Sequence, residues 1–324
     1  MKAVFMSTNI ASRSADSRSG KAKPAKAKIY YRWYVPYLFL LPGLLFYLLW
    51  TVYPLAYQLY ISFFEWKIMP GQVSEFVGLA NYAEAFNDRV VGMAIRNTVV
   101  YALVTVAGQM LIGLAVAMMV HRVFVLKRLF RAIYYLPVVT SWVVVSFLFQ
   151  YLFSPDASGL VNFVLVNVLH ILPAPISWMA NSDTAWIVIY ALGIWKGVGW
   201  AMVIFLAALQ GIPTELYEAA AIDGASEFRR FWHITLPLIR RTTLFVLVAL
   251  MIGGFQVFIS VMLITGGGPL HRTEVALTYM FDEAFGNLNF GYGAALSYLL
   301  TLLIVAVSFT QMRFFGRNNA EVEY

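Results

Sequence analysis

Six long apolar runs are the feature of this sequence that most restricts its fold. They lie at about residues 35–60, 98–120, 132–153, 184–209, 242–264 and 291–312. Each run is long enough to cross the roughly 30 Å hydrocarbon layer of a bilayer as a helix, which rises about 1.5 Å per residue. Only 12% of the residues are charged, against about 25% in a typical soluble domain. We therefore predict an all-α integral membrane protein with six transmembrane helices.

Lysine and arginine are divided unequally between the two sides of the predicted spans. Eighteen of them fall in residues 1–32, in the loops 121–131 and 210–241, and after the last span, against four on the other side. Loops rich in Lys and Arg remain in the cytoplasm. This distribution predicts cytoplasmic termini and a cytoplasmic loop between spans four and five.

The same pattern divides the chain into a six-span domain and two tails. Residues 1–32 have no apolar periodicity, so we predict a disordered basic cytoplasmic tail there. The six-span domain is predicted for residues 33–315, and a second cytoplasmic tail for residues 316–324. A cleaved signal peptide is the alternative for the first run. That run is too long and lacks a small-residue cleavage site, so an uncleaved span is predicted.

Motifs for catalysis, metal binding and nucleotide binding are missing from the sequence. There is no cysteine, and His121, His170, His233 and His271 fall on different loops or sides of the membrane. Without a GxxxxGK[ST] motif, any ATP that drives this protein must bind another chain. The net charge of +7 comes from residues beside apolar runs, with no aromatic–basic motif for nucleic acid. We expect no catalytic residue, no metal, no cofactor and no nucleic-acid partner for this chain.

Polar residues at membrane depth are the candidates for a solute path. Lys196 lies midway along the fourth run, where a charge facing lipid costs at least about 2.5–3.5 kcal/mol. It is either an anchor that bonds carbonyl oxygens at a kink allowed by Gly197 and Gly199, or a wall of the path. The other candidates carry amide, hydroxyl or aromatic groups suited to a polyol: Gln109, Trp195, Phe255, Gln256 and Ser260. Such residues also serve ordinary helix packing.

One hydrophilic loop, residues 211–240, has the signals of folded structure. Thr214 is predicted to cap a helix whose first turns carry Glu215 and Glu218. Gly224 suits the left-handed position that ends a helix. Ser226 can cap a second helix, and Pro237 is predicted to end that helix before the next apolar run. The pattern predicts a helix-turn-helix between two spans.

Small residues in this loop indicate a docking surface. Ala219-Ala220-Ala221 and Gly224-Ala225 would let a partner approach closely, with charged residues fixing its position. The alternative is a plain connector whose arginines and glutamates are ordinary solvated charges.

The loop resembles the EAA loop of ABC-importer permease subunits. Glu218-Ala219-Ala220, three residues, Gly224, nine residues and Ile234-Thr235-Leu236-Pro237 match that loop in identity and spacing. Three further stretches, 77–82, 96–98 and 263–269, are similar to the carbohydrate-uptake branch of the family, which includes maltose, lactose and glycerol-3-phosphate permeases. The resemblance covers about residues 35–315.

This resemblance implies the first permease of a two-permease pair in a bacterial or archaeal inner membrane. The implied partners are a second permease subunit, two ABC ATPase subunits that carry ATP and Mg²⁺, an extracytoplasmic substrate-binding protein and membrane lipid. The implied ATPase-coupling residues are Glu215, Glu218, Ala219, Ala220, Asp223, Gly224, Ala225 and Pro237.

The implied function is ATP-driven uptake of a sugar or sugar-like solute by alternating access. An importer permease for glycerol-3-phosphate or another phosphorylated polyol is the alternative within the family. An ion-coupled secondary transporter is a weaker alternative, because neither an internal duplication nor an acidic or histidine relay within spans is visible. No constellation supports a membrane-embedded enzyme.

Overall fold

The computed structural model describes residues 32, 34–69, 71–122, 126–156 and 159–316. The predictions for the basic tail, apart from Arg32, and for residues 317–324 lie outside the described residues. Two compact units divide the chain, 1–54 and 55–324. The first unit contains α1 (Val35–Tyr47), a π-helical turn (Leu48–Val52) and the start of α2 (Tyr53–Ile61).

A small antiparallel ribbon begins the second unit after α2. Its strands are β1 (Phe64–Glu65) and β2 (Glu75–Phe76), with Phe64 opposite Phe76. The short helix α3 (Ala80–Asn87) follows the ribbon. The all-helical prediction therefore holds for the bulk of the chain, with this two-residue pairing as an addition.

Three helices of the second unit are long and apolar enough to span a membrane: α4 (Arg89–Arg122), α8 (Ser182–Gln210) and α15 (Phe290–Gly316). The helical segment Val35–Ile61 is the fourth. Two bent helix pairs could each form one further span: Lys127–Val139 with Trp142–Leu152, and Glu227–Leu238 with Arg240–Phe255. Counting each pair as one span gives six candidate spans in the described part of the chain. The protein is thus an all-helical membrane protein with four to six candidate spans.

The third predicted run, 132–153, is not one continuous helix. It is divided between α5 (Lys127–Val139) and α6 (Trp142–Leu152), which are bent by 98° at the break. Thr140 and Ser141 are extended there, and the Ser141 hydroxyl caps α6 by accepting a 3.3 Å hydrogen bond from the Val143 N–H. This capping replaces the helical hydrogen bonds that the break removes.

The segment between α6 and α8 is partly helical and is held together by one amide. It contains α7 (Leu160–Phe163) and a π-helical turn (Val164–Val168). The fully buried Asn162 donates to the carbonyl oxygens of Ser154 and Ile176, at 2.9 and 3.0 Å, and accepts from Trp178 Nε1 at 2.9 Å. These bonds satisfy a polar side chain that would otherwise be costly to bury.

After α8 the chain forms several short helices before its last long one. They are α9 (Thr214–Ile222), α10 (Glu227–Arg230), α11 (Leu236–Leu238), α12 (Arg240–Phe255), α13 (Ile259–Ile264) and α14 (Ala276–Phe281). Two π-helical turns lie among them, Phe231–Thr235 and Asp282–Gly286. The fifth predicted run, 242–264, is therefore broken between α12 and α13.

One of the predicted end signals of residues 211–240 is wrong. Thr214 is the first residue of α9 rather than its cap, the cap position being Pro213, and its hydroxyl makes no capping hydrogen bond. Pro237 is the penultimate residue of the continuous helical segment Glu227–Leu238, so the predicted break near this proline is present. The chain turns at Ile239, where the axis bends by 68° before α12.

Close packing of α4 against α8 forms the centre of the second unit. Small residues permit this approach, since a Cβ on Gly113 of α4 would lie 2.7 Å from the Cβ of Ala201 on α8. Next to this contact, Val116, Met202 and Phe205 belong to one buried apolar cluster. The α4–α8 pair thereby positions the polar residues that α4 and α8 carry in their middle turns.

Candidate functional site

A cavity of about 450 Å³ lies among α4, α8, α12 and the break before α13. Four of the six predicted path residues line it: Gln109, Lys196, Gln256 and Ser260. Further lining comes from residues that the sequence analysis did not select: Tyr101, Thr105, Trp142 and Trp200. The cavity thus combines amide and hydroxyl groups with aromatic rings. Phe258, beside Gln256, adds another ring.

Lys196 is almost completely buried, at 4% exposure, and bonds the main chain at the break between α5 and α6. Its Nζ donates to the carbonyl oxygens of Pro137 at 2.9 Å and Thr140 at 2.7 Å, with Val138 at 3.4 Å. The last carbonyls of a helix have no partner within the helix and carry the negative end of its dipole. Lys196 therefore caps α5 from a neighbouring helix.

The aromatic ring of Trp142, the first residue of α6, adds to this arrangement. Lys196 Nζ lies 4.8 Å from the centroid of that ring, within the range of a cation–π contact. One lysine on α8 thus contacts both halves of the bent α5–α6 pair. The carbonyls do not belong to Gly197 and Gly199, through which α8 continues as one α-helix. The carbonyls come from the α5–α6 break instead.

The two glycines beside Lys196 permit close helix contacts. A Cβ on Gly199 would overlap the carbonyl oxygen of Tyr134 on α5, and one on Gly197 would overlap the amide of Gln109 on α4. Gln109 Nε2 donates to the carbonyl oxygen of Gly193 at 2.9 Å. Both α4 and α5 are therefore held against this part of α8 by main-chain contacts.

Gln256 and Ser260 reach the cavity from a non-helical segment. Gln256 is exposed and directly follows α12, while Ser260 is buried in the first turn of α13 and hydrogen-bonded to Tyr101. The chain leaves the helix between them, so the helical spacing of the sequence does not describe which side chains share a face.

Two predicted path residues lie elsewhere. Phe255 is 2% exposed and packs in an apolar cluster with Ala102 and Met251, away from the cavity lining. Trp195 is 44% exposed, with its ring centroid 5.8 Å from that of Phe149, and lines a separate apolar groove with residues of α4 and α5. Of the lining residues that the sequence analysis missed, Trp142 could have been placed at the start of a helix, since the Thr-Ser pair before it is a typical helix start.

The helix-turn-helix segment, defined as residues 214–238, contains all eight predicted coupling residues. Glu215, Glu218, Ala219, Asp223, Gly224 and Pro237 are exposed, and Ala220 and Ala225 are half-buried. Gly224 has a φ of +76°, the left-handed conformation predicted for it, and a Cβ added there would meet nothing within 4 Å. Ser226 caps α10 by accepting a 3.4 Å hydrogen bond from the Arg229 N–H, as predicted.

Large apolar side chains project from the same segment. Ile222 at the end of α9 is 88% exposed, and Phe228 of α10 is 73% exposed. Tyr217 and Thr235 join the two arms of the segment by a hydrogen bond of 2.9 Å, and Arg122 of α4 pairs with Glu227 at 2.9 Å. An ordered surface of this composition is typical of an interaction site.

On the loop before α4, the Asp88 carboxylate joins three elements. It accepts hydrogen bonds from the Tyr279 hydroxyl at 2.6 Å, the Tyr292 hydroxyl at 2.9 Å and the Val90 N–H at 2.7 Å. Burial alone raises the pKa of this carboxyl, but these hydrogen bonds outweigh burial and hold its pKa below the ordinary value. Among the described residues, no three His, Asp or Glu side chains are grouped as metal ligands.

Residues 109–319 match the family of binding-protein-dependent transport system inner membrane components. The chain belongs to this family. It is a multi-pass inner-membrane permease of an ABC transporter, and a transport component rather than an enzyme.

Individual relatives agree with this assignment. The chain is 34% identical over 289 residues to the probable ABC transporter permease protein YurN of Bacillus subtilis, covering 89% of this chain and 98% of the relative. It is 33% identical to the arabinooligosaccharides transport system permease protein AraP of the same species, covering 88% and 90%. The prediction of a permease of the carbohydrate-uptake branch is confirmed.

A solved structure shares the fold. The chain matches a bacterial ABC transporter involved in the import of the acidic polysaccharide alginate with a TM-score of 0.76 and 22% identity, covering 88% of this chain and 96% of that one.

Proposed function

We propose that this chain imports a sugar or sugar-like solute as one permease subunit of an ATP-driven complex. The cavity beside Lys196 is the solute path, and the helix-turn-helix segment docks on a cytoplasmic ATPase subunit. The complex contains a second permease, two ATPase subunits that hold ATP and Mg²⁺, and an extracytoplasmic substrate-binding protein. Both termini are cytoplasmic, in accord with the distribution of Lys and Arg.

The lining of the cavity is the observation that carries the solute class. Gln256 and Gln109 supply amides, and Trp142, Trp200 and Phe258 supply rings. Hydroxyl groups need donors and acceptors, and the C–H face of a sugar ring packs on an aromatic plane. The transport role stated in the name of AraP is of the same class.

Exposure of the helix-turn-helix segment supports its docking role. Its carboxylates Glu215, Glu218 and Asp223 are exposed beside the exposed Ile222. An apolar residue ringed by charges provides both contact area and orientation for a partner. The segment also contacts the end of α4 through the exposed Arg122–Glu227 pair.

The mechanism we propose for these two sites is alternating access. ATP binding draws the ATPase subunits together, the docked segments of both permeases move with them, and the spans open the cavity toward the binding protein. Hydrolysis of ATP restores the inward-facing state. The bent α5–α6 pair, held by Lys196, lies at the cavity wall and moves as part of the permease.

A phosphorylated polyol such as glycerol-3-phosphate is the alternative substrate. A phosphate group needs cationic donors in the path. Lys196, the cation that lines the cavity, already donates to three main-chain carbonyls. This engagement favours the uncharged sugar over the phosphate ester.

The docking role is tested by Gly224→Asp in the complete importer reconstituted in liposomes. A side chain at this exposed position obstructs the partner surface, and each 1.4 kcal/mol lost from docking weakens it about tenfold. Solute uptake is expected to fall at least about tenfold, with ATP hydrolysis no longer stimulated by the loaded binding protein.

Gly71→Asp is the matched control. Gly71 has a φ of +86° and likewise has nothing within 4 Å of an added Cβ, but it lies between the two strands of the ribbon. Equal loss of uptake in both variants would assign the effect to backbone strain. Full uptake in Gly224→Asp would refute docking through this segment.

The solute class is tested by uptake of a panel that contains arabinooligosaccharides, other neutral sugars and sn-glycerol-3-phosphate. We expect saturable, ATP-dependent uptake of a neutral sugar. Uptake of glycerol-3-phosphate alone would establish the alternative.

A further inference from the structure

A second cavity, of about 390 Å³, lies where the end of α4 meets the helix-turn-helix segment. It is separate from the cavity beside Lys196, and the lining residues of the two do not overlap. Its cationic wall consists of Arg122 of α4 and Arg230 of α10. The proposed transport function gives this cavity no role.

The two arginines of this wall differ in their partners. Arg122 is paired with Glu227 at 2.9 Å. The Nε of Arg230 is buried and has no hydrogen-bond partner among the described residues. Arg230 also makes no ion pair among the described residues, so its guanidinium favours a ligand that brings an anionic group into the cavity. The fork of a guanidinium matches the oxygens of a phosphate group.

The remaining walls divide into a polar and an apolar part, and the polar part includes His121 and the Glu227 carboxylate that pairs with Arg122. Tyr217 and Thr235 contribute hydroxyls that are already joined at 2.9 Å. Met118, Leu209 and Phe231 form an apolar surface. A ligand that fills this space has an anionic group for Arg230 and a hydrocarbon part for the apolar surface.

We infer that this cavity binds the phosphate group of an anionic phospholipid, with Arg230 as the main headgroup contact. Basic pockets at the cytoplasmic ends of spans bind such headgroups, and the negative surface of that leaflet concentrates them. The lipid joins the end of α4 to the helix-turn-helix segment. A soluble phosphate compound has the same headgroup chemistry but leaves the apolar surface uncovered.

The experiment is native mass spectrometry of the complete purified importer, with phosphatidylglycerol or phosphatidylcholine added. We expect retained phosphatidylglycerol in the unmodified importer and about fivefold weaker retention in Arg230→Gln, which corresponds to about 1 kcal/mol. Arg229→Gln is the matched control, because Arg229 is on the same short helix but is exposed and outside the cavity lining. It should retain the lipid as the unmodified importer does.

Two results would overturn the inference: equal retention in Arg230→Gln and Arg229→Gln, or equal retention of phosphatidylcholine and phosphatidylglycerol. Excess inorganic phosphate distinguishes the sources of the headgroup. Displacement of the lipid assigns the cavity to a free phosphate compound, and no displacement assigns it to the lipid. If Arg230→Gln fails to assemble, Arg230→Lys, which keeps the charge and loses the fork, provides the same comparison.

Discussion

Replacing Lys196 with methionine is expected to loosen the contact between α8 and the bent α5–α6 pair. Methionine is of similar length and fills the same space, but it has no donor for the carbonyl oxygens of Pro137 and Thr140. Both lie within 2.9 Å of the lysine Nζ. The variant therefore removes a cation and its hydrogen bonds while leaving the packing nearly unchanged.

The expected change in the free energy of unfolding is the difference between two opposing contributions. Hydrogen bonds to a charged group contribute about 1.5–3 kcal/mol each, so the two short bonds contribute about 3–6 kcal/mol together. Removing the charge regains the cost of placing it at membrane depth, about 2.5–3.5 kcal/mol. From the midpoints of these ranges, the expected net loss in the free energy of unfolding is about 1–2 kcal/mol.

The assay is the thermal denaturation of the purified importer, measured beside the uptake rate at limiting and at saturating solute. Lys196→Met should lower the melting temperature and should lower uptake mainly through a smaller folded fraction. Lys67→Met is the control, because Lys67 is paired with Glu65 on the surface of the ribbon. Exposed pairs of this kind contribute about 0–1 kcal/mol.

One result would refute this reasoning. If Lys196→Met melts at the temperature of the unmodified importer and changes only the KM for solute, the lysine acts as part of the path wall and the three carbonyl contacts contribute little. If both the melting temperature and the kinetics are unchanged, neither interpretation of the lysine is correct.

Two further predictions concern helix contact and pH. Gly199→Ala should lower the melting temperature, because the new methyl group overlaps the Tyr134 carbonyl on α5, whereas Gly92→Ala, at an open position of α4, should not; equal melting of the two variants would contradict the close contact. Because the pKa of Asp88 is lower in the folded state than in the unfolded chain, its contribution to stability is complete above about pH 4 and is lost as the pH falls through the folded-state pKa. Asp88→Asn should therefore melt less steeply with falling pH, and parallel curves would contradict this assignment.

The number and approximate positions of the apolar helices could be predicted from the sequence, because hydrophobic length is a local property. The breaks were not predicted, although the Thr140-Ser141 pair that interrupts the third run is a typical helix start. Gln256 follows α12 at a position that no proline marks. These breaks are stabilised by contacts from distant residues, such as that from Lys196 to the Thr140 carbonyl.

The candidate site was predicted only in part, for a related reason. Lys196 was expected to face protein or a water-filled path, since lipid is unfavourable for its charge, and it is buried at the wall of the cavity. Phe255 was selected as a neighbour of Gln256, but it belongs to the last turn of α12 and points into the apolar core. A neighbour in sequence shares a surface only while the helix continues, and this helix ends between the two residues.

The contact between Lys196 and the α5–α6 break also affects how sequence change is tolerated. Every residue type supplies a main-chain carbonyl, so substitutions at Val138 or Thr140 leave an acceptor in place. The donor has no such substitute. Substitutions of Lys196 are therefore expected to weaken this contact, whereas substitutions at its acceptor residues are not. Correlated substitutions between the two partners would not reveal the contact.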